Sequence, residues 1–141
     1  MAKTLRLSIV LGLSLLSALA WSANRHRSVS LEEAKKLVFE ALPKKARRLP
    51  SLSLEGRGLS SAYPGFYVIS VMWAGPPNGS SVYGNYAVDS STGDVFDAVS
   101  ECAEISTPSL RQLQASIRSR IGLSESEYHK IKSKGPLCQQ N

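Results

Sequence analysis

A capped amphipathic helix stands near the start of the chain, in the segment SLEEAKKLVFEALP. Ser30 and Glu33 form a capping box, in which the serine hydroxyl accepts from the Glu33 amide and the glutamate reaches back. Apolar residues then recur at helical spacing and form one stripe: Leu31, Ala34, Leu37, Val38, Ala41 and Leu42. Pro43 ends the helix, because the residue before a proline disfavours helical geometry. Such a helix needs an apolar surface to cover, and the rest of the chain must supply it.

Strand patterns follow this helix. Residues 51–58 alternate apolar and polar, and residues 66–73 are β-branched and aromatic on both faces, as in a central strand. Residues 82–88 and 94–100 return as two more strands. Residues 74–81 hold two prolines and two glycines and form a protruding hairpin loop. We therefore predict an α+β fold in which the helix packs on an antiparallel sheet of about four strands.

The turn between the last two predicted strands, in YAVDSSTGDVF, invites a metal-binding interpretation. Counted from Asp89, however, the glycine falls one position earlier than in a calcium loop, and Ser100 stands where the bidentate glutamate belongs. An Asx-turn explains the same residues, because Asp89 can accept from the amides of Ser91 or Thr92. Gly93 supplies the positive φ that a bulged hairpin turn requires. We predict a hairpin turn at the exposed end of the sheet and no metal site.

Catalytic motifs are missing from the sequence. It contains no GxSxG, HExxH or glycine-rich phosphate loop. A nucleophile needs a nearby base, but His26 lies before the first helix and His129 on a helix predicted to be at the surface. We expect no catalytic residue and no cofactor. A hydrolase built on Asp89, Asp94 and Asp97 is an alternative, and it would require a cleft around these carboxylates.

Residues 1–20 have the three parts of a secretory signal peptide: a basic start, an apolar run and the small-x-small sequence Ala18-Leu19-Ala20. The apolar run, of about fourteen residues, is too short to serve comfortably as a membrane anchor. We expect cleavage before Trp21, a flexible leader over residues 21–29, and no stable membrane insertion afterwards. The mature protein would be secreted or periplasmic.

Two cysteines, Cys102 and Cys138, remain in the mature chain. In an exported protein an even, widely spaced pair indicates a disulfide. Two cysteines alone cannot complete a zinc site, and a C-x-x-C redox pair is absent. We therefore predict a bridge between them.

The chain after the last strand is helical. Thr107 and Gly122 bound one amphipathic helix, and a capping box at Ser124 and Glu127 opens a shorter one. We assign residues 100–141 to a C-terminal helical hairpin, tethered by the disulfide and part of the same domain as the core over 30–99. A DNA-binding helix-turn-helix would have a similar pattern, but export argues against nucleic acid as a partner.

Two surface segments are candidates for binding. Exposed aromatic residues beside a rigid proline loop can anchor a partner, and this segment contains Trp73, Pro76, Pro77, Asn78 and Tyr83. The second segment is the basic run KKARR, with the candidate anion-binding residues Lys44, Lys45, Arg47 and Arg48. It could meet anionic lipid, glycan or an acidic partner, or could simply be a solvated helix end.

The segments SLEEAKKLVFEAL, YVISVMW and YGNYAVDSSTGDVFDA together resemble the PepSY domain. The family's VDxxTGxV pattern is matched by Val88, Asp89, Thr92, Gly93 and Val95. The resemblance covers residues 29–99, and the tail has no counterpart in it. It implies an exported or membrane-associated, non-catalytic domain proposed to bind or inhibit peptidases. Small immunity proteins of cystatin-like or NTF2-like fold carry a similar hairpin.

The functional hypothesis from the sequence is an exported, non-enzymatic binding or inhibitor module that acts on an exported peptidase or other hydrolase. One alternative is an immunity protein against a secreted toxin. Another is an envelope-surface binder of anionic lipid or glycan. The expected partner is another exported protein.

Overall fold

The computed structural model describes residues 28–99 and 102–133. In chain order its elements are α1 (Leu31–Ala41), a 3-10 turn (Ala46–Arg48), β1 (Ser53–Glu55), β2 (Phe66–Met72), β3 (Val82–Asp89), β4 (Val95–Asp97), α2 (Pro108–Ile121) and α3 (Glu125–Lys132). The strands form one antiparallel four-stranded sheet in the order β1-β2-β3-β4. The predicted α+β architecture with an antiparallel sheet is confirmed. The predicted signal peptide lies outside the described residues.

Helix α1 begins and ends where local signals place it. The Ser30 hydroxyl accepts from the Glu33 amide at 3.3 Å, and the Glu33 carboxylate accepts from the Ser30 amide at 2.9 Å. The helix ends at Ala41, just before Leu42 and Pro43. Its apolar stripe is buried except for Leu31, which is half-buried. Each fully buried leucine or valine contributes about 1.5–3 kcal/mol of stabilisation.

The two faces of the sheet differ. The inner face packs in one core cluster with the buried apolar side chains of α1 and α2; its strand members are Tyr67, Ile69, Val71, Tyr86, Val88 and Val95. The outer face holds a smaller cluster of Phe66, Ala87 and Phe96, in which the two phenylalanine rings meet edge to face at 6.1 Å between centroids. The core therefore lies between the inner face and the helices.

The C-terminal helices also begin at side-chain caps. The Thr107 hydroxyl accepts from the Leu110 amide at 3.2 Å, and α2 ends at Gly122, which has a φ of 74°. The Ser124–Glu127 capping box opens α3 as predicted. Helix α3 has no buried residue, so it lies on the surface of the domain.

The packed region begins earlier than the predicted leader allows. Val29 is fully buried, its amide donates to the Ser90 carbonyl at 2.9 Å, and its carbonyl accepts from the Tyr67 hydroxyl at 3.0 Å. β1 is also shorter than predicted. After Glu55 the backbone of Gly56 lies so close to β2 that a Cβ there would stand 2.5 Å from Ile69 Cδ1.

Two further predictions concern the membrane and the cysteines. Within residues 28–99 and 102–133, no helix has the length and apolar character needed to cross a membrane. Cys138 lies outside the described residues, so the bridge from Cys102 stays a prediction.

Candidate partner-binding surface

The two surface segments predicted as separate candidates meet at one end of the sheet. The first residue of β1, Ser53, pairs with the last residue of β2, Met72. The Ala74 amide donates to the Pro50 carbonyl at 2.9 Å. This bond joins the chain that follows α1 to the β2–β3 loop. We call the combined surface, residues 44–50 and 73–83, the loop end.

The β2–β3 loop is held by its own backbone. The Trp73 amide donates to the Ser81 carbonyl at 2.9 Å across the base, and the Gly79 amide donates to the Pro76 carbonyl at 3.0 Å at the tip. A Cβ on Gly79 would clash with the Pro76 ring, so this position needs glycine. Asn78 takes a left-handed φ of 61°, which asparagine tolerates better than most residues. The loop therefore presents one defined shape.

The predicted partner-binding residues are accessible in this loop. Pro76, Pro77 and Asn78 are exposed, and Tyr83 is 38% exposed. Trp73 is half-buried and does not belong to the core. Sequence reasoning missed Val82, which is 41% exposed beside Tyr83.

Three of the four predicted anion-binding residues are exposed: Lys44, Lys45 and Arg48. Among the ion pairs within the described residues, none involves these three side chains. The sequence over residues 42–54 and 72–84 contains no aspartate or glutamate. Every charged side chain of the loop end is therefore positive.

Arg47 differs from its neighbours because it caps the end of α1. Its Nε donates to the Leu42 carbonyl at 3.0 Å, and its Nη2 donates to the Glu40 carbonyl at 2.6 Å. Its Nη1 pairs with Glu40 Oε2 at 3.2 Å, and the guanidinium lies over the Phe39 ring, 5.3 Å from the centroid. These bonds satisfy carbonyls that a helix end leaves without partners. Arg47 therefore stabilises the end of α1 and is less available to an anion than its neighbours are.

The Asx-turn at the opposite end of the sheet is confirmed, but its exposure is not. Asp89 Oδ1 accepts from the amides of Ser91 at 2.7 Å and Thr92 at 3.2 Å, and Gly93 has a φ of 76°. The prediction of an exposed turn was wrong for its second half: Thr92 is 1% and Asp94 5% exposed, whereas Ser91 is exposed. This half is covered because helices α1 and α2 pack over it. We call residues 89–94, with the side chains of α2 and α3 that bind them, the turn end.

Helix α2 holds the turn through two buried polar side chains. Gln114 Nε2 donates to the Gly93 carbonyl at 3.0 Å, and Arg118 Nη1 donates to the Thr92 carbonyl at 3.4 Å. Both side chains lie on the buried face of α2. They satisfy carbonyls that would otherwise be costly to bury.

Asp94 is the acidic centre of the turn end. Its carboxylate lies 3.7 Å from Arg118 Nη1 and accepts from the Tyr128 hydroxyl at 3.1 Å. Burial raises the pKa of Asp94, the charge of Lys132 opposes the rise, and Glu104 adds to it. The Arg118 guanidinium also lies over the Tyr128 ring, 4.2 Å from the centroid. This network ties α3 to the sheet.

The three aspartates of the hydrolase alternative have separate structural roles. Asp89 bonds its own turn, Asp94 binds Arg118 and Tyr128, and Asp97 accepts from the Val99 amide at 2.9 Å. In the described part of the chain, no group of three or more His, Cys, Asp or Glu residues is placed to hold a metal. The geometry accounts for these carboxylates without a substrate.

The comparisons with known proteins bear on the fold. No protein-family model and no curated protein matches the chain, so the PepSY resemblance stays a prediction. A chain in a solved structure, that of a type VI secretion system effector-immunity complex from Pseudomonas protegens, has a similar fold. The TM-score is 0.58 and the identity 23%, over 75% of this chain and 88% of the other.

Proposed function

We propose that this protein is an immunity protein, which protects a bacterial cell by binding and blocking a secreted toxin. The observation that carries the proposal is the similarity of fold to a chain of an effector-immunity complex, over 75% of this chain and 88% of that one. Of the sequence-based hypotheses, this similarity favours the immunity protein over an inhibitor of a peptidase.

The loop end is the surface that we assign to the toxin. It combines an exposed proline turn, exposed side chains at Val82 and Tyr83, and three cations without an ion pair among the described residues. Aromatic anchors beside a preorganised loop suit recognition of a protein, because little conformational freedom is lost on binding. The expected action is occlusion of the toxin's active site, without chemistry by this chain.

The predicted signal peptide supports the same proposal. Export would bring the mature chain to the periplasm, where a toxin delivered from a neighbouring cell can be intercepted. The structural contacts of Asp89, Asp94 and Asp97 are compatible with a purely binding function.

The test is protection against a candidate toxin encoded beside this gene. The toxin is directed to the periplasm of a bacterial host, alone or together with the full chain. We expect growth to be restored by the full chain, and a complex of the two proteins to co-purify. A matched control lacks residues 1–20 and should give less protection against a toxin that acts in the periplasm. Persistent toxicity together with no complex would overturn the proposal.

A further inference from the structure

We propose that the loop end binds an acidic segment of the partner protein, with carboxylates facing Lys44, Lys45 and Arg48 and apolar groups facing the β2–β3 loop. This inference rests on the proposed function for the identity of the partner. The acidic character of that partner comes from the loop end itself.

The distribution of ion pairs carries the charge argument. Elsewhere in the described chain, four of the eight lysines and arginines face a carboxylate; these pairs are Lys35–Glu32, Arg118–Asp94, Arg120–Glu33 and Lys132–Glu104. The other four are exposed but scattered along the chain; they are Lys36, Arg57, Arg111 and Lys130. At the loop end, three exposed cations lie within one short segment that has no acidic neighbour in the sequence. Like charges so close repel one another, and an anionic partner removes that repulsion.

Bonds within the chain hold the basic segment and the β2–β3 loop in place without a partner. The Ala74–Pro50 bond joins them at 2.9 Å, and Arg47 anchors the basic segment to the end of α1. The turn at Pro76 and Gly79 fixes the tip of the loop. A preorganised surface loses little conformational entropy on association, so a modest set of contacts gives specific binding.

A protein surface fits this site better than a membrane does. Basic clusters that recognise anionic lipids contain about four to eight cations. Only three remain here once Arg47 is engaged with Glu40. Tryptophan is a residue type that anchors proteins at membrane interfaces, but Trp73 is half-buried, and the exposed tip of the loop is formed by Pro76, Pro77 and Asn78.

Binding can be followed by the fluorescence emission of Trp73. The chain has two tryptophans, and Trp21 lies outside the described residues, so the Trp21→Phe variant reports emission from Trp73 alone. The probes are a synthetic peptide of alternating glutamate and glycine, its glutamine counterpart, and vesicles with and without anionic lipid.

We expect saturable changes in Trp73 emission with the glutamate peptide and none with the glutamine peptide. Binding should weaken steeply between about 0.05 and 0.5 M salt, because exposed charges are screened over about 10 Å at 0.1 M. No response to the glutamate peptide would overturn the inference. Stronger binding to anionic vesicles than to the peptide would also overturn it, in favour of a membrane ligand.

Two charge-reversal variants, each with three substitutions, locate the binding site. The triple variant Lys44→Glu, Lys45→Glu and Arg48→Glu should bind the glutamate peptide at least about tenfold more weakly. The matched control is Lys36→Glu, Arg57→Glu and Lys130→Glu, which changes the net charge equally but at scattered exposed positions. Unchanged thermal unfolding shows that both variants fold. Equal weakening by both triples would mean that net charge alone drives binding and would overturn the inference.

The same two triples separate this inference from the proposed function. Protection from the toxin by the wild type and the control, but not by the loop-end triple, supports both. Protection by all three contradicts the acidic contact and leaves the immunity function standing. Peptide binding without protection by any of them supports the acidic site and removes the immunity function.

Discussion

Two connections of the same sheet, both containing glycine and serine, lie in different environments. The β2–β3 loop projects into solvent and is closed by bonds within itself and to Pro50. The second half of the β3–β4 turn is buried, and the carbonyls of Thr92 and Gly93 there are bound by side chains of α2. The difference lies in what packs on each connection rather than in the connections themselves.

Packing at the turn end shows why the two differ. A Cβ on Gly93 would stand 3.3 Å from Leu37 Cδ1 of α1, and Val29 is also near. The helices therefore close over this turn, whose polar groups must find partners inside the protein. At the loop end, water can solvate the backbone, and the side chains remain available to a partner.

The largest expected difference between the two ends is in the stability lost when a side chain is removed, and it concerns Asp94 at the turn end. We expect Asp94→Ala to lower the free energy of unfolding by about 3 kcal/mol, because it leaves the guanidinium of Arg118 buried without its carboxylate. Pro77→Ala, at the exposed tip of the loop end, should change it by less than about 0.5 kcal/mol. Urea unfolding measures both. Similar losses would show that the ends do not differ in their coupling to the core.

Two glycines of similar backbone geometry provide a second contrast. Gly93 and Gly122 have φ values of 76° and 74°. A side chain in this region costs about 1–2 kcal/mol. A Cβ at Gly93 would also lie 3.3 Å from Cδ1 of buried Leu37, whereas a Cβ at Gly122 would meet no atom within 4 Å. We expect Gly93→Ala to lower the free energy of unfolding by about 2 kcal/mol and Gly122→Ala by about 1 kcal/mol, in line with that backbone cost. Equal losses in thermal or urea unfolding would contradict the role of packing by α1.

Two neighbouring arginines allow stability and binding to be compared within the loop end. Arg47→Ala removes three hydrogen-bonding contacts at the end of α1 and should lower the free energy of unfolding by about 1–2 kcal/mol. Arg48→Ala, at an exposed position, should change it by less than about 0.5 kcal/mol. In the peptide-binding assay the order should reverse, with the larger loss in Arg48→Ala. A loss of stability in both variants would show that the whole basic segment is structural.

The smallest expected effect is a pH dependence of stability that arises from Asp94 at the turn end. Burial raises the pKa of Asp94, so the folded protein holds this proton more tightly than the unfolded chain, whose aspartates titrate near about 3.9. The contribution of Asp94 to stability is therefore fully present below about pH 4 and is lost as the pH rises through the folded pKa.

The measurement is urea unfolding of the wild type and Asp94→Asn from about pH 4 to about pH 7. The wild type should lose stability relative to the variant as the pH rises. Glu33 acts in the opposite direction: burial opposes ionisation, but hydrogen bonds from Ser30 and the charge of Arg120 lower its pKa. Because Glu33 is present in both proteins, its effect cancels in the difference. A difference that grows in favour of the wild type would contradict the prediction.

Features with local causes were predictable from the sequence. The three α-helices begin after Ser30, Thr107 and Ser124. Each of these side chains accepts from the amide three residues ahead, so a short segment carries the signal. The turn geometry of Asp89 and Gly93 is equally local. The strands β2 and β3 followed from their composition.

Features that depend on distant residues were not predictable in the same way. Gln114 and Arg118 bind the turn from 21 and 26 residues away. A signal was present, because both occupy the face of α2 that carries Leu110, Ile117 and Ile121. The meeting of the basic segment with the proline loop required the register that pairs Ser53 with Met72, which the sequence pattern does not specify.

The position of the described chain ends has a practical consequence. The Val29 amide bonds Ser90, and α3 is tied to Asp94 through Tyr128, so the chain enters and leaves the domain at the turn end. The loop end lies across the full length of the sheet from both. A protein immobilised on a sensor surface through either terminus would therefore present the loop end outward, toward an injected partner.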